Sequence, residues 1–512
     1  MTIFSGGFGL AIQMIATVVL ARLLTPRDFG LVAMVTTFSL LLSNFGVNGF
    51  TEAVVQREEI DHTLASNLFW INLGGGLVLT AGFAAAGSLL AKFYGAPAVA
   101  PITAWISATI FLSSTSVLHL ALLKRAMLFT AAAKNDIAAR AVSVVVSILF
   151  GWAGWGYWAL VLGACALPLS TSIGAWYLCR WMPGRPRSSS GTGSALKFAM
   201  YTYGRFSVNY FARNTDNLLV GWRFGAAALG FYKKAYDLFS LSATQVVASI
   251  SVVAVAALSR VIQDRDRYLR YLLGAMAVLA FLGMGIAGDL TLIGKDLIRV
   301  LLGPRWGIAG QIFTFFAPGI GIAFLYSTHG WIHLSIGRAD RWFRWGIAEW
   351  TVTILLFVAC LHWGPQGIAV AWCVSFWVLT LPAMWYAGRP IGLGVRPIIK
   401  VVWRYMAASL LAGLATELIL SRWVFLDHAS GASGAALRIA FLSFSFCVLY
   451  LGAIVLLHRG PAPLMKLAGL LREMVSVVGA EPRESFSAGA EESESRDLEL
   501  AAASSRVNSA LH

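Results

Sequence analysis

The chain is a succession of long apolar runs separated by short polar stretches. Runs of 18 or more apolar residues recur from Thr2 to His458, and each is long enough for a helix to cross a bilayer. Hydropathy predicts about fourteen such spans. The last two fall at roughly 401–421 and 435–458, and the tail follows from Arg459. That tail starts with an amphipathic stretch, Leu464–Val478, and turns Glu/Ser/Ala-rich from Glu481. It is predicted to be disordered from about residue 480. The fold class expected is an all-α integral membrane protein.

Within this pattern one stretch is polar where it should be apolar. Thr202–Thr244 carries the densest set of ionisable residues inside expected spans. At 100° per residue, Thr202, Arg205, Asn209, Arg213 and Asp216 fall within an arc of about 80°. Lys233, Asp237, Ser240 and Thr244 form a second stripe. A charge at mid-bilayer costs roughly 3 kcal/mol on insertion scales, so such residues normally face a bundle interior or a water-filled cavity. The stripes are mostly cationic, which predicts a cavity that receives an anion.

The pattern also repeats. Leu24–Leu42 echoes Phe224–Ser242, with Gly30 on Gly230, at an offset of 200. Lys134–Val161 echoes Arg344–Ala371, with Ile137 on Ile347 and Gly154 on Gly364, at an offset of 210. Two echoes in order at nearly equal offset predict two pseudo-symmetric six-helix lobes, 1–185 and 196–388, joined by MPGRPRSSSGTGS. Two extra helices over 397–458 and a cytoplasmic tail over 459–512 complete the expected organisation. Parallel repeats with a binding cavity are a common transporter plan, working by rocking of one lobe on the other.

Composition narrows the class. Hydrophobic residues make up 58% of the 512 and charged residues 12%, a membrane composition rather than a soluble one. The net charge of +15 is spread over short loops, which argues for orientation by the positive-inside rule and against nucleic-acid binding. Basic loops include Lys124 and Arg125; Arg180, Arg185 and Arg187; Arg260–Arg270; Arg338–Arg344; and Arg389–Lys400. The alternating loops are sparser, with only Lys295, Arg299 and Arg305 notably basic. Both termini are therefore expected in the cytoplasm. Cys165, Cys179, Cys360, Cys373 and Cys447 lie in or beside apolar runs without paired or metal-ligand spacing, so no disulfide, metal or cofactor is expected. Thr2–Leu24 lacks the basic n-region of a cleavable signal peptide.

ARLLTPRDFGLVAM (21–34), GFYKKAYDLFSL (230–241) and WGPQGIAVA (363–371) resemble bacterial polysaccharide biosynthesis membrane proteins. These are the O-antigen and exopolysaccharide flippase-like branch of the multidrug/oligosaccharidyl-lipid/polysaccharide exporter superfamily, and the resemblance covers about residues 1–460. It implies two six-helix bundles, here followed by two more helices. It implies as cargo a polyprenyl-pyrophosphate-linked oligosaccharide moved across the bacterial inner membrane. It also implies contact with membrane lipids and, as further partners, polysaccharide polymerase and chain-length machinery. Relatives often carry a short basic stretch before the first span, whereas this chain starts almost inside it.

For such a cargo the pyrophosphate is the charged part. Arg205, Arg213, Lys233 and Lys234 are the candidates to bind it, since guanidinium forks and ammonium groups suit phosphate oxygens. The competing reading pairs Arg213 with Asp216 and Lys233 with Asp237, each neutralising the other. Thr37, Asn44 and Asn48, in a stripe with Glu52, and Asn209 are candidates to line the cavity and bond sugars, or else to bond neighbouring helices. Asp216 and Asp237 are the candidates for ion coupling. Asp136–Arg140 reads as an anchoring pair, and His329 and His333, one turn apart, read as packing or as proton carriers. Trp152, Trp155, Trp158, Trp181, Trp345 and Trp363 read as interfacial belts.

No catalytic constellation is visible: there is no phosphate-binding glycine loop and no large loop with paired carboxylates. Two alternatives to the flippase remain. A drug/cation antiporter of the same fold would want an acidic cavity, and a membrane polymerase or glycosyltransferase would want a catalytic loop.

Overall fold

The computed structural model describes residues 2–55, 60–187, 192–422, 431–462 and 464–465. Fifteen α-helices and no strand are found among them. In chain order they are α1 (Thr2–Leu23), α2 (Pro26–Val47), α3 (Phe50–Val55), α4 (His62–Ala85), α5 (Gly87–Tyr94), α6 (Val99–Arg125), α7 (Phe129–Trp152) and α8 (Tyr157–Cys179). They continue with α9 (Thr192–Arg260), α10 (Arg265–Leu302), α11 (Gly307–Ser335), α12 (Ala339–Cys360), α13 (Gly364–Gly388), α14 (Val395–Arg422) and α15 (Gly431–His458). Ten stretches among the described residues are long and apolar enough to cross a membrane. The expected fourteen differ because Ala339–Ile391 holds both α12 and α13, because α9 is not among the ten, and because only Ile12–Leu23 of α1 qualifies, as a shorter apolar helix. The tail expected to be disordered from about residue 480 lies outside the described residues.

The helix starts follow from local chemistry. Thr25 caps α2: its hydroxyl accepts the Asp28 N–H at 3.3 Å, and Asp28 accepts the Thr25 N–H at 2.9 Å. Pro26 occupies the first helical position, where no N–H is needed. Asp61 and Asp264 cap α4 and α10 in the same way, accepting from Leu64 and Arg267. α9 is broken at Gly225, whose φ of 80° lies in the left-handed region that glycine tolerates. Its halves, 192–224 and 226–260, are the two helices expected there. The break at Gly225 stands 200 residues after the Thr25 cap. α6 and α11 end at Arg125 and Ser335, and α7 and α12 begin at Phe129 and Ala339, both 210 apart.

The chain divides into two compact units, one reaching to Gly230 and one beginning at Phe231. In the first, α6 packs against α2, α4, α5 and α8, and α7 against α1 and α8. Phe50, Leu64, Leu68, Phe69, Leu118 and Leu122 sit in its largest described core cluster. The 192–230 stretch joins this unit through Tyr203, which donates to the Leu41 carbonyl at 3.1 Å and meets the Phe45 ring edge-on. Gly30 and Gly230 face each other's helix: a Cβ on Gly30 would lie 1.7 Å from the Ala226 carbonyl oxygen, and one on Gly230 would lie 1.8 Å from that of Pro26. Only glycine permits this reciprocal backbone approach, the small-residue packing that holds helices together in lipid.

Residues 181–187 are strapped onto α4. Asn67 donates to the Arg187 carbonyl at 2.6 Å and accepts its N–H at 3.0 Å, Trp70 donates to the Gly184 carbonyl at 2.8 Å, and the Ser66 hydroxyl accepts the Gly184 N–H at 2.9 Å. In the second unit α11 packs against α10 and α13, and α14 and α15 pack against each other and against α10.

Candidate functional site

The site residues are best followed unit by unit. In the second unit, α9 brings Lys233, Lys234 and Asp237 together. Lys233 pairs with Asp237 at i,i+4, and Lys234 Nζ stands 3.9 Å from the second carboxylate oxygen. The Lys233 ammonium also lies 5.6 Å from the Tyr236 ring centroid. Lys233 and Asp237 are one-third or more exposed at the side chain, whereas Lys234 is only 11% exposed. Both lysines thus stand at the Asp237 carboxylate. An aromatic floor of Tyr232, Tyr236 and Phe239 against Phe316 holds this face of α9 in place.

In the first unit, Arg213 and Asn209 are exposed on the other half of α9, while Asp216 is fully buried and accepts the Asn217 N–H at 2.7 Å. The side chain of Arg205 lies outside the described residues, as does that of Thr244. On α2, Thr37 donates to the Ala33 carbonyl at 2.8 Å, Asn44 to the Leu40 carbonyl at 2.7 Å, and Asn48 to Asn44 Oδ1 at 3.1 Å. This polar stripe bonds along its own helix. It stops at Asn48, because α2 ends there and exposed Glu52 sits on α3. Asp136 and Arg140 pair at 2.8 Å with both side chains about half exposed, a surface pair on α7.

Sequence reasoning misread one tryptophan and missed one cluster. Trp181 is not interfacial: it is 2% exposed and packs against Phe69 and His119. Its placement follows from the strap that draws 181–187 onto α4. The missed cluster joins α10 to α15, where Arg438 grips Asp296 with two bonds of 2.6 and 2.9 Å, and Ser443 donates to Asp289 at 3.2 Å. Asp289 and Asp296 are seven residues apart on one face of α10, and that spacing was the available signal.

The fold and the buried polar groups define a class: a polytopic helical membrane protein with ionisable side chains held among long apolar helices. The chain belongs to the family described as polysaccharide biosynthesis protein, which it matches over residues 19–309. It is similar to the succinoglycan biosynthesis transport protein ExoT of Rhizobium meliloti (strain 1021), with 23% identity over 82% of this chain and 85% of that one. Its fold is similar to that of the lipid II flippase MurJ in an inward closed conformation, with a TM-score of 0.70 and 15% identity over 89% of this chain and 98% of that one. An inward-facing multidrug resistance MATE family transporter of the MOP superfamily shares the fold as well, with a TM-score of 0.62 and 12% identity over 75% of this chain and 94% of that one.

Proposed function

We propose that this protein is a flippase of the bacterial cytoplasmic membrane. Its cargo is an oligosaccharide repeat unit linked through pyrophosphate to a polyprenyl lipid, moved to the outer leaflet for exopolysaccharide or lipopolysaccharide assembly. The observation that carries the reading is the clustering of Lys233 and Lys234 around Asp237 on α9, in a chain of the polysaccharide biosynthesis family. A pyrophosphate presents several charged oxygens to two adjacent ammonium groups, and such charge-assisted bonds are the strong ones. Arg205 and Arg213, on the first-unit half of α9, are the further candidates for the anion. Thr37, Asn44, Asn48 and Asn209 offer neutral groups for sugars once their intrahelical bonds open. Asp216 and Asp237 exchange a proton or a sodium ion for their cationic neighbours. The two repeats, 1–185 and 196–388, act as lobes, with 397–458 as an added helix pair.

The termini face the cytoplasm on the positive-inside argument. Polymerase and chain-length proteins receive the flipped unit. The shared fold alone does not separate a flippase from a drug antiporter. The cationic cluster does argue against one, since cationic drugs need acidic walls. The test is the leaflet in which lipid-linked units accumulate in cells lacking the gene, read with a membrane-impermeant sugar-modifying reagent on spheroplasts and on inverted vesicles. Accumulation on the cytoplasmic face, relieved by the wild-type gene, is expected; unpolymerised units on the outer face would return the enzyme reading.

A further inference from the structure

α11 holds two histidines that its packing does not satisfy. His329 is 5% exposed and His333 is fully buried. His329 Nδ1 bonds the Tyr326 carbonyl, and a carbonyl only accepts, so Nδ1 carries the proton and the neutral ring keeps a lone pair on Nε2. That Nε2 has no partner among the described residues, and neither ring nitrogen of His333 has one. A buried polar atom without a partner has given up its bonds to water and gained none, so three in one cluster make a poor packing device. The equivalent position 210 residues earlier is His119, where Nε2 bonds the Trp181 carbonyl at 3.2 Å and the ring stacks on Trp176 at 4.2 Å. His119 and His329 are thus alike in having one bonded nitrogen and one without a partner among the described residues; what the second unit adds is His333, with neither nitrogen bonded.

The pair is enclosed by aromatic residues. Tyr326 lies 4.5 Å from His329, the two histidine rings are 6.1 Å apart, and Tyr386 lies 5.8 Å from His333. Trp345 closes the circuit, stacking on Tyr386 and donating to the Tyr326 hydroxyl at 2.9 Å. The charges acting on His333 are Arg341, seated 4.1 Å over the Tyr386 ring, and Asp340, both at the start of α12. α10 contributes Tyr268, bonded to Ser335 at 2.7 Å, and α9 contributes, among the described side chains, the neutral Ser251, which accepts from Trp331. The cluster connects to the cationic face through packed rings. Tyr326 meets Phe376 at 5.7 Å, and Phe376 meets Phe239, two residues beyond Asp237, at 6.2 Å.

We propose that His329 and His333 form a proton-exchange site, and that loading and releasing a proton there is coupled to cargo translocation. One proton enters on His329 Nε2 or His333, and the same proton leaves after the cargo has crossed. A charge appearing inside α11 alters its packing against α10 and α13, and the Tyr326–Phe376–Phe239 contacts pass that change to α9. This rests on the flippase reading and makes the histidine pair, rather than Asp216 or Asp237, the site that a proton gradient acts on.

The test uses the full chain in liposomes containing a polyprenyl-pyrophosphate oligosaccharide, with an imposed pH difference and the membrane potential clamped. Wild type should flip faster with the gradient, and His329→Gln and His333→Gln should flip only at the rate seen without one. His119→Gln should keep the gradient response. A wild type that flips at a gradient-independent rate, or a His333→Gln variant that still responds, would overturn the proton site and leave the flippase reading standing. A wild type that does not flip at all would overturn both. Should the glutamine variants fail to fold, diethyl pyrocarbonate footprinting of wild type decides. Labelling of the pair that changes when cargo is added supports the site, and unchanged labelling refutes it.

Discussion

Gly30→Ala is the sharpest test of the packing. The new Cβ would lie 1.7 Å from the Ala226 carbonyl oxygen, whereas a carbon–oxygen contact normally sits at about 3.3 Å or more. The two helices must therefore separate locally by about 1.5 Å, since the clashing atom is backbone and has no other rotamer to adopt. Overpacking of this kind costs roughly 1–3 kcal/mol, and the upper end applies here. Alanine returns about 1 kcal/mol through its better helix propensity, which leaves a net loss near 2 kcal/mol. Gly230→Ala meets the Pro26 oxygen at 1.8 Å and should behave alike. The double variant should cost less than the two losses together, because helices already parted for one methyl accommodate the second. Gly82 has nothing within 4 Å of its would-be Cβ, so Gly82→Ala serves as the control and should be neutral or stabilising. Unfolding in mixed detergent micelles, followed by tryptophan fluorescence, reads all four. Equal stability of Gly30→Ala and Gly82→Ala would refute the close approach, and full additivity of the pair would refute a shared interface.

Arg438→Ala leaves Asp296 half-buried and unpaired and should lower stability by about 3–5 kcal/mol in the same assay, while Arg438→Lys should lose less. Arg213→Ala and Lys233→Ala should each abolish glycan export in complemented cells while the protein still inserts and melts as wild type; normal export by both would remove the anion-binding argument. Arg185→Cys, exposed on the strap, should react with an impermeant maleimide in inverted vesicles and not in spheroplasts, above the labelling of the parent chain. Labelling from the outside would reverse the orientation.

Much of the fold is written in local pattern. Apolar runs have one way to satisfy their backbone in lipid, so helices follow from composition alone. The TPRD signature of α2 is legible as a cap because Thr25 and Asp28 need only each other. The i,i+4 spacing of Lys233 and Asp237 is likewise local, and the pair forms. What stayed hidden depends on residues far apart in the chain. Arg438 meets Asp296 from 142 positions away, and Trp181 is buried because Asn67, Ser66 and Trp70 hold the segment after it. The open nitrogens of His333 are invisible to periodicity, since spacing marks a histidine but not what faces it. The repeat offset pairs His329 with His119, each bonded at one ring nitrogen, and His333 is the addition that has no counterpart there.

The central claim is that this chain moves a lipid-linked oligosaccharide across the bilayer, and leaflet accessibility in reconstituted vesicles measures it most directly. Purified protein and a polyprenyl-pyrophosphate oligosaccharide would be placed in liposomes, and the fraction open to an impermeant periodate or glycosidase reagent followed in time. The account predicts that about half the lipid is accessible in protein-free vesicles and nearly all of it in vesicles holding wild-type protein, as flipping replenishes the outer leaflet. Accessibility that stays at the protein-free level, with the protein folded and inserted, would contradict it.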